Sequence, residues 1–199
     1  MSPNQSLEGA LKGIRVIDFS RIVAGPHCTM CLADLGAEVI KLEDPRAGDD
    51  LRYHKPPDMK CDSPYFLSLN RNKSSVAVNL ADPEGKKVVY DLLAKADILV
   101  ENFRTGVMER HVVGYEDLRE KYPRLIYCSI SGYGREGSQK SRAAYDPVVQ
   151  AESGQMATNG SIESGPMRTG LAVTDTQTGH FAVQGILAAL FARERTGRG

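Results

Sequence analysis

Gly13-Ile-Arg-Val-Ile-Asp-Phe19, the stretch from Gly25 to Ala37, and Val39-Ile-Lys-Leu-Glu43 together decide the fold. The first follows a polar leader and reads as a buried strand. The second reads as a helix, with Pro26 in its first turn and Gly36 at its end, where each residue is best tolerated. The third is the next strand. Strand, helix and strand within about 30 residues are the right-handed crossover unit of a parallel sheet.

The alternation continues. Residues 44–63 are polar and rich in proline, so they read as a long loop of the kind that carries function. Ser75–Leu80 reads as a strand. Asp82-Pro83 caps and opens a helix to about Ala96, with an apolar stripe of Val88, Val89, Leu92, Leu93 and Ala96. Ile98–Val100 and Leu125–Ile130 are further strands, separated by one or two short helices between Thr105 and Tyr122. Helical patterns recur at 145–156 and 176–195, the latter amphipathic from Ile186 to Arg195. Residues 1–199 therefore read as an α/β unit with a mostly parallel sheet and flanking helices. Thr196-Gly-Arg-Gly199 is a helix stop where a strand should come next, so the chain reads as the N-terminal part of a longer protein.

Lysine plus arginine (25) balance aspartate plus glutamate (25) in 199 residues, which argues against a nucleic acid or a membrane surface as partner. No apolar run approaches the roughly 18 residues of a membrane-spanning helix. The start, Met1 to Gly9, has neither an apolar signal core nor an Arg-rich presequence. A cytoplasmic address is the default, and a mitochondrial one stays compatible with a processed protein.

Several motifs compete for the chemistry. Gly132-Tyr-Gly134-Arg-Glu-Gly137 fits the dinucleotide fingerprint, but the following Ser138–Arg142 is not an apolar helix. A flexible glycine loop at a strand's carboxyl edge is the better reading. Cys28 and Cys31 fit C-x-x-C, yet they share one helical face and read as core. His27, His54, His111 and His180 are far apart in sequence, so no metal site is expected. Lys41, Arg46, Arg52, Arg71, Lys73, Arg104 and Arg110 all lie near strand ends, where phosphates would need donors. Phe103 is placed to pack on an adenine or pantetheine surface. Asp175 stands where an apolar run meets a helix. It reads either as a helix N-cap or as an ionised nucleophile on which helix amides converge.

Leu11–Pro26, Asp34–Glu43, Ala47-Gly-Asp49, Asn70-Arg-Asn-Lys73, Val100-Glu-Asn-Phe103, Gly132–Gly134, the Asp175 segment and Thr196–Gly199 resemble, in order, the motifs of the class III CoA-transferases. That family includes formyl-CoA transferase and alpha-methylacyl-CoA racemase. Asn70–Lys73 and Tyr127–Gly134 look most similar to succinyl-CoA:glutarate CoA-transferase-like members.

The resemblance implies a Rossmann-like large domain of which this chain is the N-terminal part, in an interlocked homodimer when the protein is full length. The smaller domain and the returning segment would lie outside the chain. It implies that CoA moves from an acyl-CoA to a carboxylic acid with no permanently bound cofactor and no metal. Asp175 would be the nucleophile. Ile22, Val23, Ala24, Asn102, Phe103, Arg110 and Tyr133 would contact CoA, with Arg71 and Lys73 as additions. Ser131 falls where formyl-CoA transferase carries a lysine. Racemases resemble Ala143-Ala-Tyr-Asp146 but carry His in place of Tyr145, and a neutral tyrosine is a poor base at pH 7. The racemase and a non-catalytic CoA- or nucleotide-binding domain are the alternatives.

Overall fold

The computed structural model describes residues 9–56 and 59–199, so the start of the chain, read above for targeting signals, lies outside the described residues, as do two residues of the predicted loop. Five strands, β1 (Arg15–Asp18), β2 (Glu38–Glu43), β3 (Lys73–Ala77), β4 (Ile98–Glu101) and β5 (Ile126–Ser129), form one sheet. Their order is β3-β2-β1-β4-β5 and every pair is parallel. This is the expected α/β architecture, with the order of the first five strands of a Rossmann sheet. β3 starts two residues before the apolar run, because pairing of Lys73 with Val39 sets its boundary rather than side-chain character.

Helices cover both faces: α1 (Ala24–Asp34), α2 (Pro64–Asn70), α3 (Pro83–Leu93), α4 (Val107–Arg110), α5 (Tyr115–Leu118), α6 (Asp146–Glu152), α7 (Gln155–Thr158) and α8 (Val173–Thr196). A two-stranded hairpin, β6 (Gly160–Ser161) and β7 (Gly165–Pro166), precedes α8. The predicted loop 44–63 holds one turn of 3-10 helix at Asp50–Tyr53. α2, which the sequence pattern missed, is capped by the Ser63 hydroxyl accepting from the Phe66 amide.

Successive strand residues point to opposite faces, and both faces are buried. Val16, Ile98 and Ile126 pack with Cys28 and Leu32 of α1 and Ile186 of α8. Ile17, Leu42 and Leu99 pack with Val89 and Leu93 of α3 and with Met108 and Leu118. α8 departs from the expected single apolar stripe. Ile186 and Arg193 point inward, while Phe181 and Phe191 are 66% and 69% exposed. Arg193 pairs with Asp97 at 2.9 Å and donates to the Arg124 carbonyl at 3.0 Å.

Candidate active site

The chain crosses from one side of the sheet to the other between β1 and β4. In open α/β sheets the loops diverge at such a switch point and leave room for a ligand. Here the loop after β1, the loop after β4 and the glycine loop after β5 line a cleft of about 300 Å³. Tyr145, just before α6, and Asp175, in the first turn of α8, complete its wall.

The two switch-point loops are clamped together. The Asn102 side chain accepts from the Arg21 amide and donates to the Arg21 carbonyl, each at 2.8 Å. Ile22 next to it has φ 66°, a strained value for a β-branched residue. A buried charge network holds it there. Asp49 accepts from the Ile22 amide and pairs with Lys41 at 2.9 Å, and Lys41 donates to the Ser20 carbonyl. Asp18 accepts from Thr29 and the Ser20 amide and pairs with Lys73 at 3.2 Å. Burial alone would raise the Asp18 pKa, but Lys73 and Lys41, with the hydroxyls of Ser20 and Thr29, outweigh it and hold the carboxyl below its ordinary value.

Asp175 is not the helix cap. The N-cap position of α8 is Ala172, which has no side chain to offer. Asp146 supplies the acceptor from outside the helix. Its Oδ1 takes the Thr174 amide at 2.8 Å, the Thr174 hydroxyl, and the Asp175 amide at 3.3 Å. Gln150 donates to its other oxygen. The helix amides therefore converge on Asp146, not on Asp175 as the sequence suggested. The Asp175 carboxylate accepts no hydrogen bond among the described residues. Burial, and then the nearby Asp146 charge, push its pKa up from 3.8 to about 6. A carboxylate left unbonded at the edge of a cleft keeps its lone pairs available for attack.

The sequence profile described as CoA-transferase family III matches residues 11–199. The chain belongs to this family. It is 49% identical over 189 residues to the succinyl-CoA:glutarate CoA-transferase of Mus musculus, covering 95% of this chain and 43% of the relative. It is 42% identical over 195 residues to the succinate–glutarate CoA-transferase of Agrobacterium fabrum, covering 95% and 49%. A solved structure of a CAIB/BAIF family protein from Brucella suis superimposes with a TM-score of 0.91 at 40% identity, over 95% of this chain and 51% of that one. The chain thus spans about half the length of the relatives it matches.

Among the residues that likeness to family III singled out, Ile22, Val23, Ala24, Asn102, Phe103, Tyr133 and Asp175 all line the cleft. α1 opens there without a side-chain cap, as a helix that receives an anion would. Arg71, Lys73 and Arg110 do not line it. Arg71 pairs with Asp34, and Lys73 is spent on Asp18, the Pro26 carbonyl and Asn70. Lys41 and Arg52, read from sequence as phosphate donors, are also internal. Arg52 pairs with Glu43 and Asp62. The cations that do face the cleft are Arg21, Arg104, Lys140 and Arg142, of which only Arg104 was marked by its position after a strand. Arg21 stacks on Phe103 at 5.1 Å, and Arg142 binds Glu152. Arg104 and Lys140 make no side-chain ion pair among the described residues.

The glycine loop is tied to the sheet and to the segment that follows it. Arg135 pairs with buried Glu101 at the end of β4. A Cβ on Gly132 would stand 2.0 Å from that of Ala144, so the loop packs against the segment leading to Tyr145. No helix follows until α6, consistent with setting aside the dinucleotide fingerprint. Cys28 is core, and burial raises its thiol pKa. Sequence separation misled for the histidines: His27 and His180 meet with their Nε2 atoms 3.3 Å apart.

Proposed function

We propose that this chain carries the nucleophile and the CoA cleft of a transferase that moves CoA from an acyl-CoA to a carboxylic acid. The observation that carries the reading is the unbonded Asp175 carboxylate at the edge of the switch-point cleft. An Asp175 oxygen attacks the thioester carbonyl, the C–S bond breaks, and CoA thiolate leaves an acyl-aspartyl anhydride. The thiolate then attacks the aspartyl carbonyl and releases the donor's carboxylate, giving an aspartyl-CoA thioester. The acceptor carboxylate repeats the two exchanges in reverse, and Asp175 is regenerated. Each step is substitution at an acyl carbon with no change of oxidation state. An anhydride suits the task because it stays reactive enough for the next exchange.

Arg104 and Lys140 are the cations available to CoA phosphates. Phe103, stacked by Arg21, offers an apolar plane to the adenine or pantetheine part. A second cleft of about 220 Å³ shares Arg21 and Phe103 with the first, which suits a ligand as long as CoA. The names of the relatives favour succinyl-CoA as donor and a short dicarboxylic acid as acceptor. An interlocked homodimer is part of the same proposal. No described helix is long and apolar enough to cross a membrane.

The test is to incubate the intact natural protein with acyl-CoA, quench, and map adducts by mass spectrometry. CoA should be found as a thioester on Asp175. A working enzyme that carries its adduct on another residue, or forms none, would overturn the assignment.

A further inference from the structure

His27 and Cys31 stand one turn apart on α1, and His180 stands on α8. Gly179 lets the two helices meet. A Cβ there would lie 2.7 Å from the Ala24 carbonyl oxygen and 3.0 Å from His27 Cδ2, so any larger residue would push His180 away from His27. The result is a convergence of three ligand atoms. His27 Nε2 is 3.3 Å from His180 Nε2 and 3.8 Å from Cys31 Sγ, and all three lie within 4.8 Å of one another.

A hydrogen bond between the two rings accounts for one pair of atoms and leaves the convergence of the sulfur outside it. Such a bond favours about 2.9–3.0 Å, and 3.3 Å is long for it. The geometry of a shared ion explains it better. Two nitrogens at about 2.05 Å from a tetrahedral zinc are about 3.3–3.4 Å apart, and a nitrogen and a thiolate sulfur at about 2.3 Å are about 3.6 Å apart. The two spacings from His27 are within a few tenths of an ångström of those edges, and His180 Nε2 and Cys31 Sγ, within 4.8 Å of each other, would draw closer around the ion. Nearby charge does not forbid a cation, because Arg71 is paired with Asp34 and Lys73 with Asp18.

We propose that His27, Cys31 and His180 bind one Zn²⁺ ion, with the fourth position open to water on the exposed side of His180. Binding forms one S–Zn and two N–Zn bonds, and the Cys31 thiol proton leaves to solvent; no electron is transferred. One thiolate and two imidazoles suit zinc among the common divalent ions. The ion would fasten α1 to α8. Val23 and Ala24, at the cleft, begin the first helix, and Asp175 lies five residues before His180 on the second. Its role there is to position, not to react.

The test uses the intact protein, stripped of metal and without substrate, so its outcome is independent of transferase activity. Zn²⁺ is titrated against a chromophoric chelator, and Co²⁺ serves as a spectroscopic probe. One equivalent of zinc should be taken up, and the cobalt form should show a thiolate-to-cobalt charge-transfer band. Cys31→Ser, a near-isosteric change, should remove that band. Cys31→Ser and His180→Gln should each weaken zinc by no less than the about 10–100-fold that loss of a mere supporting group costs. Zinc should also raise the melting temperature of the parent but not of these variants. If the parent takes up no more zinc than a His27→Ala, Cys31→Ser, His180→Gln triple variant, the proposal is wrong. Equal zinc affinity in parent and Cys31→Ser, with both folded by circular dichroism, would also overturn it.

Discussion

Replacing Asp175 by Asn is expected to abolish transfer and, at the same time, to make the folded protein more stable above pH 6. The side chain accepts no hydrogen bond among the described residues, so Asn forfeits none. What it removes is a charge that burial and Asp146 disfavour, as the rise in pKa from 3.8 to about 6 records. Two units at about 1.4 kcal/mol each amount to about 3 kcal/mol. The group is partly exposed at the edge of the cleft, so screening reduces this to about 1–2 kcal/mol. The sign follows from linkage. Below about pH 4 both folded and unfolded chains are protonated at this site and the charge costs nothing. Between about 4 and 6 the unfolded chain ionises first, and wild-type stability falls relative to the variant. Above 6 the gap is constant. Denaturant unfolding of both proteins at several pH values from 8 down to 4 measures it. The reasoning fails if Asp175→Asn is less stable than wild type at pH 8, or if the gap does not close on acidification.

The same raised pKa predicts that transferase activity climbs as pH rises through about 6, where Asp175 becomes a carboxylate; a rate unchanged between pH 5 and 7 would contradict it. With a 2-methylacyl-CoA in D2O, no alpha-deuterium exchange is expected, while transfer to a free dicarboxylate should be detectable; fast exchange without transfer would make the racemase the better assignment. Asn102→Ala removes both hydrogen bonds between the switch-point loops. It should cost about 1–3 kcal/mol and raise KM for acyl-CoA more than it lowers kcat, as steady-state kinetics will show. Phe181 and Phe191 leave an apolar face on α8 that favours association. Expressed alone, the 199-residue chain should elute as oligomers or aggregate, and Phe181→Ser with Phe191→Ser should shift it toward monomer on size-exclusion chromatography.

The sheet was legible because β1, β2 and β4 are short stretches built on Val, Ile and Leu whose neighbours announce turns and helix ends. Proline at the start of α1 and α3 marked their first turns for the same local reason. Contacts between distant residues were not legible. Lys41 and Lys73 looked like solvent-facing donors, but each has its carboxylate elsewhere in the chain, Asp49 and Asp18. Asp146 could not be recognised as the cap of α8 because it lies 28 residues before Thr174. The approach of His27 to His180 depends on a glycine at 179 that looks ordinary inside a helix. Asp175 alone reads equally well as a helix cap, and only the resemblance to family III singles it out; its lack of hydrogen bonds could not be seen in sequence.

α8 also works as a strut. Its first turn carries Asp175 at the carboxyl ends of the strands, and Arg193 is fixed to Asp97 and Arg124 just before β4 and β5 begin, at the amino ends. Eighteen residues of helix between them span about 27 Å. A hydrogen-bonded rod of that length resists compression far better than it resists bending, so movement at its far end arrives at the cleft as sliding along the axis. Loosening Arg193 would therefore let Asp175, the proposed nucleophile, drift relative to the cleft. A residue at the opposite edge of the sheet would then set how far Asp175 reaches into the cleft.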